Sequence, residues 1–464
     1  MIYNQISQIV FIIFLVLSIY FTSRKNYQAL LALFVAGIGF GGFNIYYGTL
    51  WFPYKIVSVF IVLVVLINSG KKIFPKYFKK LIVLFVISVI IALIFQPSID
   101  QTNLPFFQRS SFRPFVQLFT YVSLAALIPF CLLVLKTENH FLIFIKRYFL
   151  IVELVMSFAV LQFIIQKLGM DFMPILRPNL TDSPTAAFSF QNTIILRLYG
   201  VTGEPKTLAA FLSPYFFTSL YNFYNKNYNR NNIYHLIMLL ISLFVIINSF
   251  SSAVLLSLAI TLSLASLIWF RNKIKILVPM VALILVLLYS NPGQTIISRG
   301  YIASSYSLYD LLVERTTGRL TSEMNERPEY IGINYLFNVK PYLSFTGIGM
   351  GMYPYYVTSS GSYGIDPIDS NWVIFLMDFG LLGVGLLLYN LIKLLGLRNK
   401  IIYKQDKQFN FALIGLFAAY VLGLGVGSYQ YMMLFTGLAF SAYKIKKNKL
   451  SNKNSSDNMN ANQS

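Results

Sequence analysis

Charge is the scarcest feature of this chain: 11% of its 464 residues are Asp, Glu, Lys or Arg, against roughly 25% in a soluble protein. There is one cysteine, Cys131, which excludes an intrachain disulfide and any cysteine-built metal site. The two histidines, His140 and His235, sit at the edges of apolar blocks and belong to no metal-ligand pattern. The N-terminus lacks the basic start and small-residue cleavage site of a signal peptide, so the first apolar block is expected to remain as a helix.

What fills the chain is apolar. Hydrophobic residues make up 56%, and they come in long blocks such as 81–95, 116–135 and 274–289. Blocks near 20 residues match a hydrocarbon layer about 30 Å thick. In that layer the backbone must satisfy itself, so the blocks are expected to be helices. The fold class is therefore all-α: a single polytopic transmembrane bundle over 1–450, followed by a disordered tail over 451–464. Thirteen helices are expected, near 6–21, 29–45, 54–68, 80–95, 115–135, 141–165, 207–223, 234–249, 253–270, 274–290, 372–397, 409–426 and 431–443.

The net charge of +21 does not indicate nucleic acid. The cations lie in short clusters between apolar blocks: Arg24 with Lys25, then Lys71 to Lys80, Lys136 with Lys146 and Arg147, Lys226 with Arg230, Arg271 to Lys275, Arg398 to Lys407, and the lysines after Tyr443. Every second loop is basic, the pattern of cytoplasmic loops. This puts the N-terminus outside and the C-terminus inside, and it implies contact with anionic membrane lipids.

The other face has two long segments, about 166–206 and 291–371. The second holds Asp310, Glu314, Glu323, Glu326, Glu329, Asp366 and Asp369, which is 7 of the 16 acidic residues. Within it, 308–320 and 323–337 can form amphipathic helices, broken near Gly318 and Pro328. Gly347, Gly349 and Gly351 follow as a turn with close backbone approach.

Three polar constellations stand out. In Arg197-Leu-Tyr-Gly200-Val-Thr-Gly203-Glu204-Pro205 the plainer reading is helix initiation, with Pro and an acid in the first turn; the functional one makes Arg197 an anion ligand. Arg315 and Arg319 share a helix face around Gly318. They either pair with Glu314 and Glu323 or clamp a phosphate through the guanidinium fork. In Asp366-Pro-Ile-Asp369-Ser370-Asn371 the choice is between helix capping and a general base. Glu153 and Asp378 lie inside apolar blocks, where an acid is costly and functional by default.

At these motifs the chain resembles the O-antigen polymerase family, related to the O-antigen ligases. The matching residues are Arg197, Gly200, Gly203, Glu204 and Pro205, then Gly318-Arg319, then Gly347, Gly349 and Gly351, and last Asp369-Ser370-Asn371 with Gly380 and Gly383. The resemblance covers roughly residues 190–390; the first half matches only in hydropathy. Ligases of this superfamily place a histidine at the last motif, and none stands there, which favours a polymerase. The resemblance implies a GT-C-like membrane fold in a bacterial inner membrane. It implies metal-independent, cofactor-free, inverting transfer of a growing glycan from undecaprenyl pyrophosphate to a lipid-linked repeat unit. A chain-length regulator and a flippase are the implied partners. Arg197 and Arg319, with Arg315, would hold the pyrophosphate. Asp369 would be the base, with Glu204 its rival, and Gly203, Pro205, Gly318, Gly349 and Asn371 would support them. A ligase-type transferase and a lipid-linked glycan flippase are the alternatives.

Overall fold

The computed structural model describes residues 2–47, 49–68, 70, 73–96, 106–168, 187–190, 193–224, 232–249, 251–269, 328–356, 368–404 and 406–461. The described helices, numbered in chain order, are α1 (Ile2–Ser23), α2 (Tyr27–Gly39), α3 (Pro53–Ile67), α4 (Lys76–Ile94), α5 (Arg113–Ala125), α6 (Leu127–Val134), α7 (Glu138–Lys167), α8 (Pro205–Tyr224), α9 (Asn232–Asn248), α10 (Ser252–Trp269), α11 (Pro328–Asn334), α12 (Asn371–Arg398), α13 (Ile401–Lys404), α14 (Lys407–Leu422) and α15 (Tyr429–Ala461).

The protein is a helical membrane protein. Among the described residues, five segments are long and apolar enough to cross a bilayer: Gln5–Ser23, Lys76–Ile94, Arg113–Val134, Glu138–Lys167 and Asn371–Arg398. Their outward faces are apolar as well. Ile9, Ile12, Val16 and Ile19 line α1, Val83, Val86, Ile87 and Ile90 line α4, and Leu381, Leu388 and Ile392 line α12, all exposed. Such rows are tolerable only against lipid or another protein.

At the centre lies α14, whose residues from Phe409 to Leu422 are all buried, flanked by α8, α10 and α15. Small residues let these helices approach. A Cβ added at Gly415 would stand 2.1 Å from the Phe435 ring, and one at Gly437 would stand 2.9 Å from Cys131 Sγ.

Several expectations change in detail. The block expected over 115–135 is two helices joined at Ala126, because Pro129 has no N–H to return to the carbonyl four residues back. Two short antiparallel hairpins interrupt the all-α pattern: β1 (Ile45–Tyr47) with β2 (Thr49–Trp51), and β3 (Ala187–Phe190) with β4 (Thr193–Leu196). Of the amphipathic helix expected over 323–337, the described part runs from Pro328 to Asn334 and continues as a π-helical turn over Tyr335–Val339; residues 323–327 lie outside the described residues. The segment 451–464, expected as a disordered tail, continues α15 to Ala461; it holds no Pro or Gly to stop a helix. The helix expected over 274–290 and the one over 308–320 lie outside the described residues.

The bundle has two chemically different ends. At one, Lys449 pairs with Glu138 at 3.1 Å and Lys446 with Asp406 at 3.7 Å. Arg398 there donates from Nε to Asn410 Oδ1 at 3.0 Å. At the other end α4 finishes, α5, α8 and α12 begin, and the polar motifs gather.

Candidate functional site at one end of the bundle

The first motif is a tight buried turn. Gln162 of α7 clamps it: its Oε1 accepts the N–H groups of Tyr199 at 2.9 Å and Gly200 at 2.8 Å, and its Nε2 donates to the Arg197 carbonyl at 3.3 Å. Gly200 and Gly203 have φ of 53° and 76°, left-handed values that favour glycine. Thr202 Oγ donates to the Tyr199 carbonyl at 2.6 Å, and α8 then starts with Pro205 in its first position. Arg197 is buried, and its Nε donates to the Ser249 carbonyl at 2.8 Å, just past the end of α9. A cation there complements the helix's negative end. Glu204 takes the Thr207 hydroxyl at 2.8 Å and is only partly buried.

The last motif divides its duties. Ser370 is the helix cap: its hydroxyl accepts from Val373 N at 3.3 Å and donates to the Gly423 carbonyl at 3.2 Å. Asn371 is buried, and with its amide oxygen turned toward the start of α15 it accepts the N–H groups of Ser428 at 2.6 Å and Tyr429 at 2.5 Å. Capping therefore does not need Asp369. Its side chain is 58% exposed and forms an ion pair with Lys206 of α8, while its N–H donates to Glu329 Oε1 of α11 at 2.8 Å. One ion pair thus joins the Gly-Glu-Pro motif to the Asp-Ser-Asn motif.

The glycine run lies between them and the bundle core. α12 is interrupted at Gly380, with φ 61° and ψ −162°, and Gly347 runs against the break. Ile348 N donates to the Met377 carbonyl at 2.8 Å, Leu382 N to Phe345 O at 3.2 Å, and Met350 N to Ser88 O of α4 at 3.3 Å. There is no room for side chains: a Cβ on Gly349 would lie 2.4 Å from Ala92 N, and one on Gly347 would lie 2.6 Å from Met377 O. Irregular backbone at this depth is tolerated only where protein satisfies it, and Asp378 supplies part of that. Its Oδ2 accepts the Tyr121 hydroxyl at 2.8 Å, its Oδ1 accepts Gly351 N at 2.9 Å, and its own carbonyl accepts the Ser88 hydroxyl at 2.6 Å. The other buried acid, Glu153, accepts the hydroxyls of Tyr215 at 3.2 Å and Tyr234 at 2.7 Å.

One residue escaped the sequence reading. Arg113, at the first position of α5, stacks over the Tyr353 ring at 6.0 Å. Its Nε is buried without a hydrogen-bond partner, and it forms no ion pair among the described residues. The Tyr353 phenol ties this corner to the rest. Burial raises its pKa most, Arg113 pulls it down, and the carboxylates of Asp378 and Asp369 push it up. Both acids are therefore electrostatic neighbours of one phenol that Arg113 covers. The available signal was positional: Arg113 stands at the end of an apolar block opposite the basic loops.

Arg315, Gly318, Arg319 and Asp366 lie outside the described residues. Of the site residues expected from sequence, Glu204, Pro205 and Asp369 share one end of the bundle with Lys206, Glu329 and Arg113. Gly203, Gly349 and Asn371 shape the backbone beneath them, and Arg197 braces the turn from behind. Among the described residues no group of three or more His, Cys, Asp or Glu is placed to hold a metal ion. No family model, no curated protein and no solved structure matches the chain.

Proposed function

We propose that this protein is a membrane glycosyltransferase that polymerises lipid-linked glycan repeats at this end of the bundle. The observation that carries the reading is the Lys206–Asp369 ion pair, which unites two motifs that sequence singled out separately. It leaves an accessible carboxylate beside cations, the pair of functions that displacement of a pyrophosphate requires.

In the proposed reaction a hydroxyl of the acceptor repeat attacks the anomeric carbon of the donor glycan. The bond from that carbon to the lipid pyrophosphate breaks, the configuration inverts, and the hydroxyl proton passes to Asp369, with Glu204 the rival acceptor. The departing pyrophosphate is held by Arg113 and Lys206, together with Arg319 and Arg315. Arg197 acts from behind the turn, because its Nε is engaged by Ser249 O. No metal or cofactor takes part. The basic end faces the cytoplasm of a bacterial inner membrane, so the site faces outside, where donor and acceptor carried on undecaprenyl pyrophosphate meet. A chain-length regulator and a flippase are its expected partners.

A lipid-linked glycan flippase is the second reading. The interruption of a membrane-length helix at Gly380 favours it, because broken helices recur in transporters. The glycan profile of a deletion strain separates the two. A polymerase leaves single repeats on the surface and removes the ladder; a flippase removes every surface repeat. Asp369→Asn, normally inserted, is expected to reproduce the first profile, and a normal ladder from that variant would remove Asp369 from the reaction.

A further inference from the structure

At the end of the bundle opposite the site lies a cavity of about 320 Å³ between α6, α15 and the segment that leads into α4. Its walls are Ile73, Leu132, Leu133, Leu135 and Ile445, with Asn448 and two lysines, Lys136 and Lys444, completing the lining. Both lysines are exposed, and neither has an acidic partner among the described residues. Two carboxylates described at this end are engaged elsewhere: Glu138 is held by Lys449 at 3.1 Å and Asp406 by Lys446 at 3.7 Å.

We infer that this cavity seats the head and upper chain of an anionic phospholipid. The apolar wall suits acyl methylenes, which gain by leaving water. The unpaired ammonium groups suit a phosphate, which an ammonium attracts as a point charge. A neutral apolar ligand would leave both lysines unanswered, and a free phosphate would leave the leucine wall unused. Position agrees, since Lys136 follows α6 at the end of the Arg113–Val134 span and Lys444 lies on α15 beside it. Lipid here would tie α6, α15 and the segment before α4 together, far from the Asp369 corner. The inference therefore stands or falls independently of the proposed reaction.

The test uses the full chain purified in neutral detergent. Thermal unfolding is followed with added phosphatidylglycerol, phosphatidylcholine or inorganic phosphate at equal phosphate concentration. Phosphatidylglycerol alone is expected to raise Tm in a concentration-dependent way, as any ligand of the folded state does. Each of Lys136→Gln and Lys444→Gln should weaken its apparent affinity about fivefold, the effect of one lysine near an anionic surface. The Lys136→Arg/Lys444→Arg double variant should keep the shift, and Lys400→Gln, outside the cavity, should leave it unchanged. An equal shift with phosphatidylcholine, a full shift with inorganic phosphate alone, or a double glutamine variant that responds like the parent would each overturn the assignment.

Discussion

At the scale of single residues the structure shows which side chain does the capping that the sequence leaves open. Asp, Ser and Asn are all good caps, so Asp369-Ser370-Asn371 looks the same whether it starts a helix or carries chemistry. Here Ser370 caps, Asn371 binds the start of α15, and Asp369 is left with Lys206. A general base contributes roughly 10²–10⁴-fold, so if Asp369 is the base of the proposed reaction, Asp369→Asn should lower the rate of repeat addition by about that factor without changing the amount of inserted protein. Arg113→Ala should weaken donor use more than Arg113→Lys does, as rates over a range of donor concentrations will show. Equal rates for Arg113→Ala and the parent would free that residue from the reaction. Asp378 was legible in sequence as a costly buried acid, but its partners were not, because Tyr121 and Gly351 are distant in sequence. Removing its carboxylate in Asp378→Ala strands both donors, at about 1–3 kcal/mol each. Tm should fall clearly in that variant, and an unchanged Tm would contradict the bonding described.

At the scale of elements, hydropathy is a strong guide and backbone detail a weak one. The positions of α3, α4, α7, α9 and α12 follow from apolar blocks of the right length, since only a helix satisfies its own backbone in lipid. The division at Ala126 depends on one missing N–H at Pro129. The break in α12 depends on Gly380 meeting Phe345, a long-range contact that no local pattern reveals. The glycine run was legible as a close approach; the helices it approaches were not. Gly349 has φ 96° and stands against the backbone of Ala92, whereas Gly385 in the same region of chain as the break has open space. Gly349→Ala should therefore destabilise by about 1–3 kcal/mol from backbone strain alone, with steric displacement of α4 added. Gly385→Ala should be neutral or stabilising by up to about 1 kcal/mol, because alanine is the better helix former. Parallel thermal melts of the two variants check this, and equal behaviour would refute the threaded geometry.

For the whole molecule, shortage of charge and the placement of lysines and arginines foretold a membrane bundle with two unlike ends. The described structure has apolar outward faces, lysine–acid pairs at one end and an acid–lysine–arginine corner at the other. Sequence alone could name the motifs of that corner but could not join them, since the joining is done by Lys206, a residue in neither of the catalytic roles first considered. The claim that this corner polymerises lipid-linked glycan is tested most directly by purified protein in liposomes given one chemically defined undecaprenyl-pyrophosphate-linked repeat unit of the native glycan and no nucleotide sugar. The account predicts a ladder of products lengthened by whole repeats with release of undecaprenyl pyrophosphate, and no ladder with Asp369→Asn. Unchanged repeat units after incubation with well-folded protein would contradict it.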